Sequence, residues 1–304
     1  MTELRFLVGI PASGKSTFAK EILKDNNYVL VSSDSYREKI YGSEEIQGNK
    51  NELFEIINKD IIQYLMDGKS VIFDATNIDL KKRMELIKKI NSKVSDIYIT
   101  AQVVATQYKI CLENNRKRTR FVPEFVIKRM YENFTFPQNF EGIHNVFIRY
   151  DYDKYDYRQE WLEELMDDFN QDNPHHSSTL GQHTLKVFEN ILTVAPDNHR
   201  LQLAAKFHDI GKLYTKTYKD SKGNQKDFAS YYNHEQVSTY ESMFYLKEKN
   251  IQNFDMFYIL GLIQFHMRLY GINSDKSRDK LINLIGRQMY EDLILLNDAD
   301  KNGK

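Results

Sequence analysis

The chain runs to 304 residues, enough for two ordinary domains that each bury a core. Its 41% hydrophobic and 28% charged residues are a soluble globular composition, and a net charge of −1 excludes a globally basic nucleic-acid binder without excluding a local basic patch. One cysteine, Cys111, rules out an internal disulfide; with no leader-like or membrane-spanning run it points to a reducing, cytoplasmic setting and no membrane partner.

In chain order, the first half alternates strand-like and helix-like runs, the pattern of an α/β fold with a parallel sheet and flanking helices. Strands are expected at Leu4 to Ile10, Tyr28 to Ser33, Ser70 to Thr76, Asp96 to Thr106 and Asn145 to Tyr150. Helices are expected between them, for example Lys15 to Leu23, Glu52 to Met66 and Leu80 to Ile90. After Tyr150 comes a charged, Tyr-rich stretch, an amphipathic helix from Trp161 to Phe169, and a linker, Gln171 to Ser178, broken by Pro174. From Thr179 strand pattern almost vanishes. Helical runs cover Leu180 to Leu192, Arg200 to His208, Tyr231 to Lys247, Met256 to Tyr270 and Leu281 to Leu296. The expected organisation is an α/β domain over 1–155, a helix and linker over 156–178, and an all-α domain over 179–304. The 20 Tyr and 18 Phe suit base-stacking surfaces, or simply biased codon usage.

The first strand runs into Gly9-Ile10-Pro11-Ala12-Ser13-Gly14-Lys15-Ser16, the Gly-x4-Gly-Lys-Ser spacing of a phosphate-binding loop. Glycines let backbone N–H groups curl around phosphate oxygens, and the following helix N-terminus adds favourable partial charge. Gly9, Ser13, Gly14, Lys15, Ser16 and Thr17 form the candidate ATP-binding set, with Lys15 on the β/γ-phosphates and Ser16 on Mg²⁺. The second strand ends in Ser33-Asp34-Ser35-Tyr36-Arg37, where side chains face the ligand crevice of an open sheet. Asp34 is placed to take a proton from an attacking hydroxyl, or to cap the next helix. Arg37, one turn later, can hold an acceptor phosphate. Asn77 and Arg83, beyond the third strand, join it as acceptor-side candidates. Arg116, Arg118 and Arg120 crowd the segment before Pro123, which can close over a triphosphate or be a solvated helix face.

The loop at 9–16, Ser33 to Arg37, Asp74-Ala75-Thr76-Asn77 and the Arg116 to Pro123 lid together resemble the kinase domain of phage-type polynucleotide 5′-kinases. The resemblance covers roughly the first half of the chain. It implies that Asp34 is the general base for a 5′-hydroxyl and that Arg37 holds the neighbouring phosphate. One lid arginine, Arg118 being favoured, would act on the ATP phosphates. Ser35 stands where that family often has a second carboxylate.

The second half carries His183, His208-Asp209, His234, His266 and Asp300, all on expected helices. A helical bundle can aim such side chains at one metal site. Imidazole and carboxylate without cysteine suit Mn²⁺, Fe, Co or Ni and argue against structural zinc. The arrangement resembles the HD phosphohydrolase superfamily. That resemblance implies one ion on His183, His208, Asp209 and Asp300 (Asp300 preferred over Asp298) and a second on His234 and His266, with Asp209 bridging. Lys212 would contact the scissile phosphate, and His176 is either a substrate contact or a polar linker residue.

A kinase for 5′-hydroxyl ends and a hydrolase for 3′-phosphate or 2′,3′-cyclic phosphate ends would heal both sides of one break in RNA or DNA, leaving termini for a separate ligase. A metabolite or nucleoside kinase fused to a nucleotidase, and an ATP-switched nucleotide sensor, are the competing expectations.

Overall fold

The computed structural model describes residues 1–25, 27–151, 157, 159–174 and 178–303. The chain divides into two compact units, Met1–Met130 with Pro137–Asp153, and Tyr131–Phe136 with Lys154–Lys304.

The first unit holds β1 (Thr2–Val8), α1 (Lys15–Asp25), β2 (Tyr28–Ser32), α2 (Ser33–Tyr41), α3 (Lys50–Met66), β3 (Ser70–Asp74), α4 (Leu80–Asn91), β4 (Ile97–Thr106), α5 (Tyr108–Lys117), most of α6 (Glu124–Glu132) and β5 (Asn145–Asp151). The five strands form one parallel sheet in the order β2-β3-β1-β4-β5, flanked by helices, the open α/β architecture expected from the sequence. Strand β4 is buried along almost its whole length, as a strand covered on both faces must be, with Thr100, Gln102 and Thr106 the polar residues among its apolar ones. Leu7, Ala19, Ile22 and Ile72 form a packed cluster under α1, with Phe18, Leu23 and Tyr28 against it. Each fully buried aliphatic side chain of this kind contributes roughly 2 kcal/mol. This packing fixes the position of the loop between β1 and α1. Parallel pairing sets Leu7 beside Asp74, so the carboxyl ends of β1 and β3 open at the same level.

The second unit holds α7 (Gln159–Asp167), α8 (Leu180–Val194), α9 (His199–Phe207), the short α10 (Lys212–Thr215), β6 (Lys216–Lys219), β7 (Gln225–Tyr231), α11 (His234–Glu248), α12 (Asn253–Phe265), a 3₁₀ turn over His266–Gly271, α13 (Asp275–Ile285) and α14 (Arg287–Asn302). Helix α8 starts at a capping box, in which Thr179 accepts from the Gln182 N–H and the Gln182 side chain returns to Thr179. Helices α11 and α12 are buried nearly all round and form the centre. The segment 131–136 packs here: Phe134 meets Tyr240 edge-on at 4.9 Å, and the Phe136 N–H donates to Gln264 Oε1 at 2.6 Å.

Three expectations for this half are corrected. An antiparallel hairpin, β6–β7, stands where almost no strand was expected. The run expected from Tyr231 begins as helix only at His234, because Tyr231 ends β7 and Asn233 takes a left-handed conformation, φ 58°. The run from Leu281 to Leu296 is two helices, broken at Gly286 with φ 85° and ψ 156°, a region essentially open to glycine alone. Among the described residues no helix is long and apolar enough to cross a membrane, and Cys111 is buried.

Candidate active sites

The β1–α1 loop needs two left-handed residues, Ala12 at φ 63° and Gly14 at φ 92°. A Cβ at Gly9 would stand 2.7 Å from Ser13 Oγ and 3.1 Å from the Val104 carbonyl, so only glycine fits that approach. The Gly9 N–H donates to the Thr76 carbonyl, and Thr106 Oγ1 donates to the Ser13 carbonyl. Lys15 is buried and donates to the Ile10 carbonyl at 2.8 Å and to Ser13 Oγ at 3.4 Å. Burial brings its ammonium down to about 8, partly opposed by the Asp74 carboxylate. Ser16 and Thr17 follow, exposed, on the first turn of α1.

Asp74, which sequence reasoning left without a role, is buried at the end of β3 and accepts a hydrogen bond from the Ser16 side chain. Burial raises its carboxyl, with Ser16 and the Lys15 charge pulling it back. A hydroxyl beside an acid at a strand end next to the loop is a donor pair for Mg²⁺. Its signal in the sequence was the acid closing the apolar run Val71-Ile72-Phe73.

Asp34 stands on the first turn of α2. Its Oδ1 accepts from Arg37 at 2.6 Å, and its Oδ2 is paired with Arg120. Arg37 is buried, and its Nε is an N–H without a hydrogen-bond partner among the described residues, a donor left for an acceptor phosphate. Arg118 donates to the Arg120 carbonyl, and its charge is felt at Lys15, which puts it on the phosphate-loop side. Arg116 pairs with Glu124 at 2.7 Å on the outside, its side chain 60% exposed.

Two acceptor-side candidates, Arg83 and Asn77, have their side chains engaged within the protein. Arg83 is 1% exposed and makes a two-pronged bond to Glu141, 2.7 and 2.8 Å, plus one to the Asn77 carbonyl. Its guanidinium is spent inside the scaffold. Asn77, at φ 46°, donates through Nδ2 to the Leu7 and Phe73 carbonyls and ties β1 to β3.

The helical unit brings the six candidate metal ligands into two groups that share Asp209: His183, His208, Asp209 and Asp300, and Asp209, His234 and His266. Asp209 Oδ2 lies 3.4 Å from His183 Nε2 and 3.3 Å from His208 Nε2, while Oδ1 lies 3.1 Å from His234 Nε2 and 3.7 Å from His266 Nε2. Asp300 Oδ1 is 3.2 Å from His183 Nε2. Every imidazole has its Nδ1 against a backbone carbonyl: Gly303 for His183, Ala205 for His208, Tyr231 for His234 and Ile263 for His266. A carbonyl only accepts, so each Nδ1 carries a proton, and each Nε2 is the ring atom turned inward to take a metal or a second proton.

That donor set fits a pair of divalent ions. The Nε2 atoms of His234 and His266 face each other at 3.2 Å, which requires a cation or a proton between them. His208 Nε2 is buried without a hydrogen-bond partner among the described residues. The buried ammonium of Lys212 lies 2.7 Å from Asp209 Oδ2. Burial alone would keep His208 neutral; the Asp209 field outweighs it and pushes the imidazole up to about 10. Against the same burial, His208 and Lys212 hold Asp209 well below the carboxylate range. Protons here occupy the place of positive charge that a metal would supply. His176 lies outside the described residues.

Residues 4–137 match the family model described as AAA domain. The L-seryl-tRNA(Sec) kinase of Methanococcus maripaludis is 32% identical over 145 residues, covering 44% of this chain; the chain spans 53% of that relative's length. Among solved structures, a chain of the Pnkp1/Rnl/Hen1 RNA repair complex aligns at 23% identity and TM-score 0.39, covering 43% of each chain. A gluconokinase from Sinorhizobium meliloti aligns at 14% identity and TM-score 0.36, covering 49% of this chain and 82% of its own. The matched residues include the phosphate-binding loop, and the candidate metal centre of the helical unit lies outside them.

Proposed function

We propose that this chain heals nucleic-acid ends, phosphorylating 5′-hydroxyls with ATP and hydrolysing 3′-phosphate or 2′,3′-cyclic phosphate ends with a metal pair. The observation that carries the reading is the presence, in one chain, of a phosphate loop with an acid at the crevice and of four imidazoles aimed at one carboxylate. At the kinase site Lys15 and Arg118 bind the ATP phosphates and Ser16 with Asp74 holds Mg²⁺. Asp34 takes the proton of the attacking hydroxyl, and Arg37 holds the acceptor's phosphate. Arg120 must leave Asp34 for the hydroxyl to approach. In the helical unit, bound metal would activate water and neutralise charge on the phosphoester. Lys212 would donate to a phosphate oxygen of the substrate, and His183, His208, His234 and His266 with Asp209 and Asp300 would hold the ions.

The seryl-tRNA kinase relative favours a second reading for the N-terminal unit, phosphorylation of a hydroxyl carried by an aminoacyl-RNA rather than of a 5′ end. Purified protein with ATP, Mg²⁺ and Mn²⁺ is given an RNA oligonucleotide with a 5′-hydroxyl and a 2′,3′-cyclic phosphate, both ends being followed. Lys15→Ala is expected to abolish only the 5′ reaction and Asp209→Ala only the 3′ reaction. Turnover of nucleosides or metabolites with both oligonucleotide ends untouched would transfer the reading to small molecules.

A further inference from the structure

The β6–β7 hairpin interrupts a helical unit at a telling place. Lys212, against the metal-side carboxylate Asp209, precedes it, and the metal-side His234 follows it. A connection of a few residues would suffice to join α10 to α11. One side of the hairpin is committed to structure. Tyr218 Oη and Lys216 Nζ donate to Asp172 at 2.5 and 2.7 Å, Tyr231 Oη donates to the Gln171 carbonyl, and the Ala229 N–H donates to the Asp172 carbonyl. The hairpin is therefore held rigidly beside the metal site, and its last carbonyl, that of Tyr231, sets the His234 tautomer at 2.9 Å.

On the other side the contacts stay within the hairpin itself: Lys226 Nζ donates to Ser230 Oγ at 2.6 Å. Lys226, Phe228 and Ser230 alternate onto this side, with Lys226 Nζ 4.1 Å above the Phe228 ring. Phe228 is 39% and Tyr232 44% exposed. Lys219 and Lys222 are exposed at the tip. The acid of the turn, Asp220, is turned onto its own loop, accepting from the Lys222 and Asn224 N–H groups at 2.8 Å. Lysine charge thus faces outward, interleaved with aromatic rings, the chemistry that complements a polyanion bearing stackable bases. Tyr232 is two residues from His234, a reach of about 7 Å at most.

We propose that this hairpin binds single-stranded nucleic acid, with Phe228 and Tyr232 stacking on bases and Lys219, Lys222 and Lys226 on phosphates, and delivers the strand's 3′ end to the metal pair. The inference rests on the end-healing reading and names the element that selects a polymer over a mononucleotide.

The test compares the full chain with Phe228→Ala/Tyr232→Ala and with Lys219→Glu/Lys222→Glu/Lys226→Glu, each checked for an unchanged melting temperature. Substrates are a single-stranded oligonucleotide of about twelve nucleotides with a 3′-phosphate and a mononucleoside 2′,3′-cyclic phosphate, with Mn²⁺. The ratio of kcat/KM for the oligonucleotide over the mononucleotide is expected to fall about tenfold or more in the aromatic variant, mainly through KM. In the lysine variant the salt dependence of oligonucleotide binding, read by fluorescence anisotropy, is expected to flatten by roughly 0.7 in log–log slope per lysine replaced. An unchanged ratio, or equal losses on both substrates, overturns the proposal. Should the wild type hydrolyse neither substrate, the end-healing reading falls, and anisotropy decides the hairpin alone: weaker binding in both variants supports it, and equal or absent wild-type binding overturns it.

Discussion

Arg83 and Arg37 are both buried guanidiniums on the sheet's carboxyl side, yet they play opposite parts. Arg83 has its charge matched by Glu141 inside the scaffold, whereas Arg37 keeps one N–H unspent beside Asp34. Removing one member of a buried pair strands the other in low dielectric. Arg83→Ala is therefore expected to destabilise the protein by about 3–5 kcal/mol, with part of that loss recovered when Glu141→Leu is added. Urea unfolding of the two variants measures it; a change confined to acceptor KM, with stability intact, would return Arg83 to the acceptor side. Local sequence could not separate these two arginines, because the partner that decides Arg83 lies 58 residues away.

At the scale of elements, the break between α13 and α14 follows from one residue. Gly286 adopts a conformation that costs other residues of order 1–3 kcal/mol, so Gly286→Ala is expected to lower stability by about that amount. Differential scanning calorimetry would show it as a reduced melting temperature, and a neutral substitution would mean the two helices can fuse. The apolar period continues across the break, which is why the sequence read as one helix. The hairpin β6–β7 escaped because its strands are polar and charged rather than apolar runs, and only the Gly223-Asn224 turn signalled it. The five parallel strands and the phosphate loop were legible because apolar runs and the Gly-x4-Gly-Lys-Ser spacing are strong local signals. The histidines were legible by type and number, but the carbonyls that fix their tautomers belong to backbone geometry and leave no trace in the sequence.

For the molecule as a whole, Glu241 is the buried charge to watch. It accepts from Tyr131 at 2.5 Å and from Tyr157 at 3.3 Å, and burial raises its carboxyl to about 7 from an ordinary 4.5. The folded chain keeps this proton between those values while the unfolded chain has released it. Its stabilising contribution is thus full below about 4.5 and lost as the pH rises through 7. Glu241→Gln, which stays neutral, is expected to flatten the pH dependence of stability across that window and to gain up to about 3 kcal/mol at pH 8. Thermal melts of both proteins from pH 5 to 8 check this, and parallel curves would refute it. Tyr131 enters this cluster from the short segment 131–136, which the chain sends into the helical unit before returning to complete the sheet with β5. Such a path has no single seam. A gene cut once near residue 154 would yield a helical fragment lacking Tyr131, Phe134 and Phe136, with Glu241 stripped of one of its two donors. The two units can therefore be probed separately by point substitution but not by truncation, and shuffling these halves as cassettes would require carrying the inserted segment with its adopted partner.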